Sequence, residues 1–346
     1  MNAKISQSQL FVMLILSGMT DILSFSHDVA DGAYNSAFFV SLIAAFVLRL
    51  LLLIPIFFLY KNGKRSDFPQ GLGSAKTQSV ISVAVIVLLT ALACGDGIKF
   101  CYFTVVCIAP DMSDFLLSLT VTAGAVYCAL KGRQGLFRAS GIITAAVLFT
   151  VGLMFLIMLQ NTSKTAFASL VYEFDANKIL PGAFRVIAGS SSLPIITLLC
   201  FEAKGKLIKG VLWWNGTITL FALVIALVTG SVLGVFGEKT PFPVYMAVNS
   251  ASVGILERFD ALFLCAFTLG TVIRLGVLLC LVRKLSGRGG KAVFFICALA
   301  VLFVGTAGRS IEAARFFNNA LFRFSAITAI CAGLPALTLA KRSETD

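Results

Sequence analysis

The side chains best placed to do chemistry are ionisable groups set inside apolar sequence. Asp96 and Lys99 stand three residues apart in Cys94-Gly95-Asp96-Gly97-Ile98-Lys99, Asp21 follows Gly18-Met19-Thr20, Arg274 interrupts an otherwise apolar run, and Glu257-Arg258-Phe259-Asp260 crowds three charges into four positions. A charge at mid-bilayer costs roughly 2.5–3.5 kcal/mol on insertion scales, so each marks either a compensated pair or a path for a ligand or ion. At i,i+3 on one helix, Asp96 and Lys99 share a face and can pair. Gly95 and Gly97 beside them allow close backbone approach. Two readings stand for this group: a self-neutralising pair facing the bundle, or a polar pathway in which Asp96, Lys99 and Arg274 line a cavity. Arg49 and Arg323 lie nearer the ends of their apolar runs and are expected to snorkel to the interface.

A second group is polar but uncharged. Gly189-Ser190-Ser191-Ser192-Leu193-Pro194 places glycine, three serines and a proline in the middle of an apolar run. Other chemistry is poorly represented. His27 is the single histidine, and the nine cysteines fall inside apolar runs with no C-x-x-C pair. No Ser/His/Asp, Cys/His or metal-ligand constellation is present, so neither an enzyme nor a metal or cofactor is expected. The cysteines read as small buried hydrophobes.

The elements that must hold these groups are long apolar segments. The composition is 58% hydrophobic and 13% charged. Ten runs stand out, near 8–25, 37–60, 79–107, 115–130, 138–159, 179–200, 211–235, 259–282, 292–308 and 318–340. Most approach the roughly 20 residues that a helix needs to cross a bilayer core. The fold class predicted is therefore an all-α integral membrane protein of about ten transmembrane helices, one transmembrane domain over residues 1–346. The first run follows Lys4 but no small-x-small cleavage pattern follows it, so it is read as a retained helix.

The loops alternate in charge. Lys61, Lys64, Arg65 and Lys76 stand on one side with Lys131, Arg133, Arg138, Lys204, Lys206, Lys209, Arg283, Lys284, Arg288 and Lys291. The loops holding Asp28, Asp31, Asp111 and Asp114 have no Lys or Arg. The positive-inside rule then places both termini in the cytoplasm. The formal net charge of +12 is mostly this asymmetry, and no nucleic-acid partner is expected.

Two runs look broken. The first carries Ser17-Gly18-Met19-Thr20-Asp21, and the sixth carries Gly189–Ser192 ahead of Pro194. Backbone groups freed inside a membrane need partners, so breaks survive where they line a cavity or are packed by protein. First and sixth of ten are corresponding positions in two halves of five helices, about 1–159 and 160–340. Paired interruptions of this kind point to a substrate site in transporters built from inverted repeats. Gly18, Thr20 and Asp21 are thus expected to face Gly189, Ser190, Ser191 and Ser192 as a ligand site. The alternative is that these small residues only allow close helix packing.

Pro241-Phe242-Pro243-Val244-Tyr245, then Gly254-Ile255-Leu256-Glu257-Arg258-Phe259-Asp260-Ala261-Leu262-Phe263-Leu264, resembles the segment entering the eighth helix of spore germination permeases. These are the B subunits of GerA-type germinant receptors, in the amino acid/polyamine/organocation transporter superfamily. Lys4-Ile5-Ser6-Gln7-Ser8-Gln9-Leu10-Phe11 is similar to that family's opening. The resemblance implies two inverted five-helix repeats, a pocket at the breaks of helices one and six, and an amino acid-like nutrient as ligand. It implies A-type and C-type receptor subunits as partners, in the inner membrane of a spore. An autonomous proton- or sodium-coupled amino acid transporter is the alternative. The family's first-helix break is glycine-rich, whereas here Asp21 follows a single Gly18, which suggests an amine-bearing ligand or a cation site. Residues 241–255 are expected to form a short helix on the outer face, held over the cavity mouth by Glu257, Arg258 or Asp260.

Overall fold

The computed structural model describes residues 5–24, 36–61, 75–163, 175–204, 207–250, 259–287 and 290–343. Six helices are long and apolar enough to span a bilayer, one bent helix pair makes a further candidate span, and three shorter apolar helices accompany them. Together these correspond to the ten expected runs. The short helices are α1 (Gln7–Leu23), α4 (Asp114–Leu130) and α11 (Gly290–Gly305). The long ones include α2 (Ser36–Lys61), α3 (Ala75–Cys107), α5 (Gly132–Gln160), α8 (Leu207–Leu233) and α10 (Phe259–Leu285). The bent pair is α6 (Ile179–Ala188) and α7 (Ser192–Leu199), and α9 (Pro243–Ser250) is short.

The last run is less regular than expected. It is preceded by α12 (Ile311–Phe317) and divides into α13 (Ala320–Thr328), a π turn over Ala329–Gly333, and α14 (Leu334–Ser343). Asn318 and Asn319 separate the first two, and the Asn319 side chain caps α13 by accepting from the Leu321 and Phe322 N–H groups. An asparagine at this position satisfies donors that a helix start leaves free.

One departure from an all-helical chain is small. Ile5 and Ser6 pair in parallel with Ala203 and Lys204, so the residues before α1 are tied to those after α7. Ser6 then opens α1 through a capping box with Gln9.

The bundle centres on α10, which packs against α3, α4, α5, α11 and α1. Helix α6 packs against α2 and α13. The outer surface is apolar. On α5, Ile142, Phe149 and Leu156 recur every seven residues and are 77%, 75% and 60% exposed. A stripe of that kind suits contact with lipid chains rather than water.

Around Phe103 the packing is aromatic. Its ring centroid lies 4.9 Å from Phe242, 5.4 Å from Tyr245 and 5.0 Å from Phe267. The Tyr245 hydroxyl donates to the Cys107 carbonyl at 3.1 Å. The expected short helix is therefore present over Pro243–Ser250, and this cluster holds it against α3. Glu257 and Arg258, expected to lock it, lie outside the described residues, and Asp260 is placed in the first turn of α10.

Candidate functional site

The sixth run is interrupted as its sequence suggests. α6 ends at Ala188 and α7 begins at Ser192, with a 58° bend between them. Gly189 donates its N–H to the Arg185 carbonyl at 2.9 Å, and Ser190 donates to Ile187 at 2.9 Å, which closes the last turn of α6. Pro194 sits in the first turn of α7, where its missing N–H removes no helical bond. Ser190, Ser191 and Ser192 are all buried. The break therefore lies in the protein interior, where its loose backbone ends need partners.

Arg323 from α13 supplies them. Its Nε donates to the Ala188 carbonyl at 2.7 Å, at the negative end of the α6 dipole. Nη1 donates to Asn318 Oδ1 at 3.0 Å, and Nη2 donates to Asp96 Oδ1 at 2.8 Å and to Ser191 Oγ at 3.1 Å. The Ser191 hydroxyl in turn donates to Asp96 Oδ2 at 2.7 Å. Arg274 Nε stands 3.0 Å from the same Asp96 oxygen, and its Nη1 pairs with Asp21 Oδ1. Asp21, Arg274, Asp96 and Arg323 thus form one chain of alternating charge across α1, α10, α3 and α13, ending on the helix break. Each of the four is less than a tenth exposed.

The structure joins part of the expected site and rearranges the rest. Ser192 donates to Ser17 Oγ at 3.0 Å, and Ser191 reaches Asp21 through Asp96 and Arg274. The first run carries no interruption at Gly18–Thr20. α1 is helical from Gln7 to Leu23 and ends at buried Ser24. A Cβ on Gly18 would fall 2.7 Å from Ile218 Cδ1, so Gly18 lets α8 approach. Thr20 bonds back to the Leu16 carbonyl at 2.8 Å. One glycine without a following proline weakens a helix too little to break it.

The charged groups also differ from expectation. Asp96 and Lys99 do not pair. Both Asp96 oxygens are taken by two guanidinium groups and a hydroxyl, which hold it from several directions at once. Lys99 is partly buried and makes no ion pair among the described residues. Arg323 and Arg49 do not snorkel, being 2% and 7% exposed. Internal acceptors outweigh the interface for Arg323, because all its bonds above are made inside the protein. Asp21 is not a free carboxylate: one oxygen pairs with Arg274, while Oδ2 has no hydrogen-bond partner among the described residues.

Sequence reasoning missed Arg323, Asn318 and Ser17 as members of this cluster. A signal existed for Arg323, a lone charge six residues into an apolar run and close after Asn318-Asn319. Among the described residues no group of three or more His, Cys, Asp or Glu side chains could hold a metal.

The arrangement is a helical membrane bundle with a charged chain closing an interrupted span. The chain is similar to a solved Na+-coupled sialic acid symporter in a substrate-bound, outward-open state, with a TM-score of 0.60 and 12% identity. The likeness covers 97% of this chain and 78% of that one. No family model matches the sequence, and no curated protein matches it.

Proposed function

We propose that the chain is a secondary transporter that holds a small polar solute at the α6–α7 break and moves it across the membrane. One observation carries the reading: buried ionisable side chains from four helices converge on a bent, interrupted span. Fixed charges in a membrane interior are costly, and they mark substrate or ion pathways. Discontinuous helices supply backbone ends to such a site. The fold likeness to a Na+-coupled symporter supports transport and makes sodium or protons the coupling ions to test. In this reading Ser190, Ser191 and Ser192 offer hydroxyls, Asp96, Arg274 and Arg323 shape the field, and Asp21 keeps one oxygen for a ligand or ion. Two inverted repeats with their ligand at the interface fit the same reading.

A second reading makes the chain the membrane subunit of a spore germinant receptor, sensing an amino acid-like nutrient beside A-type and C-type subunits in the spore inner membrane. The 241–264 and 4–11 segments favour it. Purified protein in proteoliposomes separates the two. Transport predicts solute accumulation driven by a sodium or proton gradient. Binding without accumulation under either gradient would favour the receptor and overturn the transporter.

A further inference from the structure

One carboxylate oxygen is left over when the charge chain is assembled. Asp21 Oδ1 pairs with Arg274, but Oδ2 is shielded from solvent with no hydrogen-bond partner, the only carboxylate oxygen so placed among the described residues. Buried polar atoms of this kind are rare and call for a cause. Arg274 is itself only half committed. Its Nη1 bonds to Asp21, while its Nε lies 3.0 Å from Asp96 Oδ2 without the alignment of a hydrogen bond. Asp96 Oδ2 also accepts the Ser191 hydroxyl at 2.7 Å, at the α6–α7 break. Arg274 therefore stands between two carboxylates, one on α1 and one that touches the break.

A neutral Asp21 would let that guanidinium change partner. Burial opposes the charge on Asp21 and the pair with Arg274 supports it, so proton binding and the position of Arg274 are linked. The other charges within electrostatic reach of Asp21, among the described residues, are Asp96 and Lys99 on α3, Arg323 on α13 and Arg49 on α2. Of the helices packed on α1, α10 supplies Arg274, whereas α5, α7 and α8 bring no charge into this set. Arg323 is held by Asp96, Asn318 and the Ala188 carbonyl, which leaves Arg274 as the guanidinium with two arrangements.

A sodium ion suits this place less well than a proton. Transporters coordinate sodium with the carbonyls of unwound helix. Here α1 is helical through Leu23, and the carbonyls near Asp21 are in use: Thr20 and Asp21 accept from Ser24, and Leu16 accepts from the Thr20 hydroxyl. A proton needs only the one oxygen.

Resting on the transporter reading, we propose that Asp21 carries the coupling proton, and that its charge state reaches the α6–α7 break through Arg274, Asp96 and Ser191. The proton comes from the more acidic aqueous phase, adds to Oδ2 and leaves to the opposite phase. While it is bound, Arg274 leaves Asp21, completes its bond to Asp96 and competes with the Ser191 hydroxyl for the same oxygen.

The test has two arms, both on the full chain. Infrared spectra in lipid nanodiscs, taken from mildly alkaline to mildly acidic pH, read protonated carboxyl groups directly. The parent is expected to gain a protonated-carboxyl band that Asp21→Asn lacks. Asp21→Glu should keep a titrating carboxyl with a shifted band, so the parent-minus-Glu spectrum identifies the group even where Asn does not fold. In proteoliposomes the probe is an equimolar mixture of radiolabelled L-amino acids. An inward proton gradient is expected to drive its uptake, a sodium gradient at equal pH is not, and Asp21→Asn should lower the proton-driven uptake about tenfold, an ordinary size for coupling between sites. Asp21→Glu should restore part of it. A parent without the band at any pH, or sodium-driven uptake that Asp21→Asn keeps in full, overturns the proton assignment and leaves the transporter reading standing. Proton-driven uptake that Asp21→Asn keeps in full also overturns it. Binding of the mixture with no uptake under either gradient removes the transporter reading and this inference together.

Discussion

Asp96 accepts from Arg323 and Ser191 at 2.8 and 2.7 Å and forms an ion pair with Arg274 Nε at 3.0 Å, so the charge chain depends on one carboxylate. Removing one partner of a buried ion pair costs about 3–5 kcal/mol, because the other charge is left uncompensated. Asp96→Asn is therefore expected to lower the melting temperature sharply and to reduce the monodisperse fraction after detergent extraction; an unchanged melting curve would show that the chain does not stabilise the fold. Ser192→Ala removes one neutral bond to Ser17 and should cost about 1 kcal/mol in the same measurement. Gly95 gives Arg323 its route past α3. A Cβ there would fall 2.5 Å from Arg323 Nη1 and 2.8 Å from the Phe317 carbonyl. Gly95→Ala should thus destabilise by about 1–3 kcal/mol, the range for overpacking a filled interior. Gly141→Ala in α5 is the control: nothing lies within 4 Å of its added Cβ, so the melting temperature should hold or rise.

Between elements, the end of the bundle near α7 is held by a different set of contacts. Glu202 pairs with Arg133 at the start of α5 and with Lys284 at the end of α10, the latter at 2.6 Å. The pairing of Ile5–Ser6 with Ala203–Lys204 ties α1 to the same segment. Beside it lies a small apolar pocket lined by Arg133, Leu136, Leu199, Val277 and Cys280 among others. These ion pairs are partly solvated and contribute only about 0.2–1 kcal/mol each. Glu202→Gln should consequently change stability little and loosen this end of the bundle. In a background retaining Cys280 as the only cysteine, maleimide labelling should become faster; an unchanged rate would mean that Glu202 does not restrain access. At the aromatic cluster the opposite balance holds. Phe103 is fully buried against the rings of Phe242, Tyr245 and Phe267, and Phe103→Ala should cost about 3–5 kcal/mol in melting experiments.

For the molecule as a whole, the alternation of basic loops predicts that positions 64 and 111 face opposite sides of the membrane. Single cysteines placed there should be labelled by an impermeant maleimide from opposite sides, and labelling of both from one side would contradict the arrangement. The apolar elements were legible because their cause is local: a stretch of about 20 apolar residues has one stable state in a bilayer whatever surrounds it. The sixth-run break was legible for the same reason, since Gly189, three serines and Pro194 weaken the helix by their own chemistry. Gly18 misled because a lone glycine is equally suited to breaking a helix and to admitting Ile218, and only the neighbour decides which. Asp96 misled in a similar way: the i,i+3 spacing offers Lys99, but Arg274 and Arg323 come from 178 and 227 residues away in sequence and take both oxygens. Sequence by itself therefore determined which segments enter the membrane, where one of them bends, and which charges would need partners there. Tertiary structure alone decided the partners, because buried ions are satisfied by whichever groups the packed helices bring within hydrogen-bond reach, and that depends on the whole bundle.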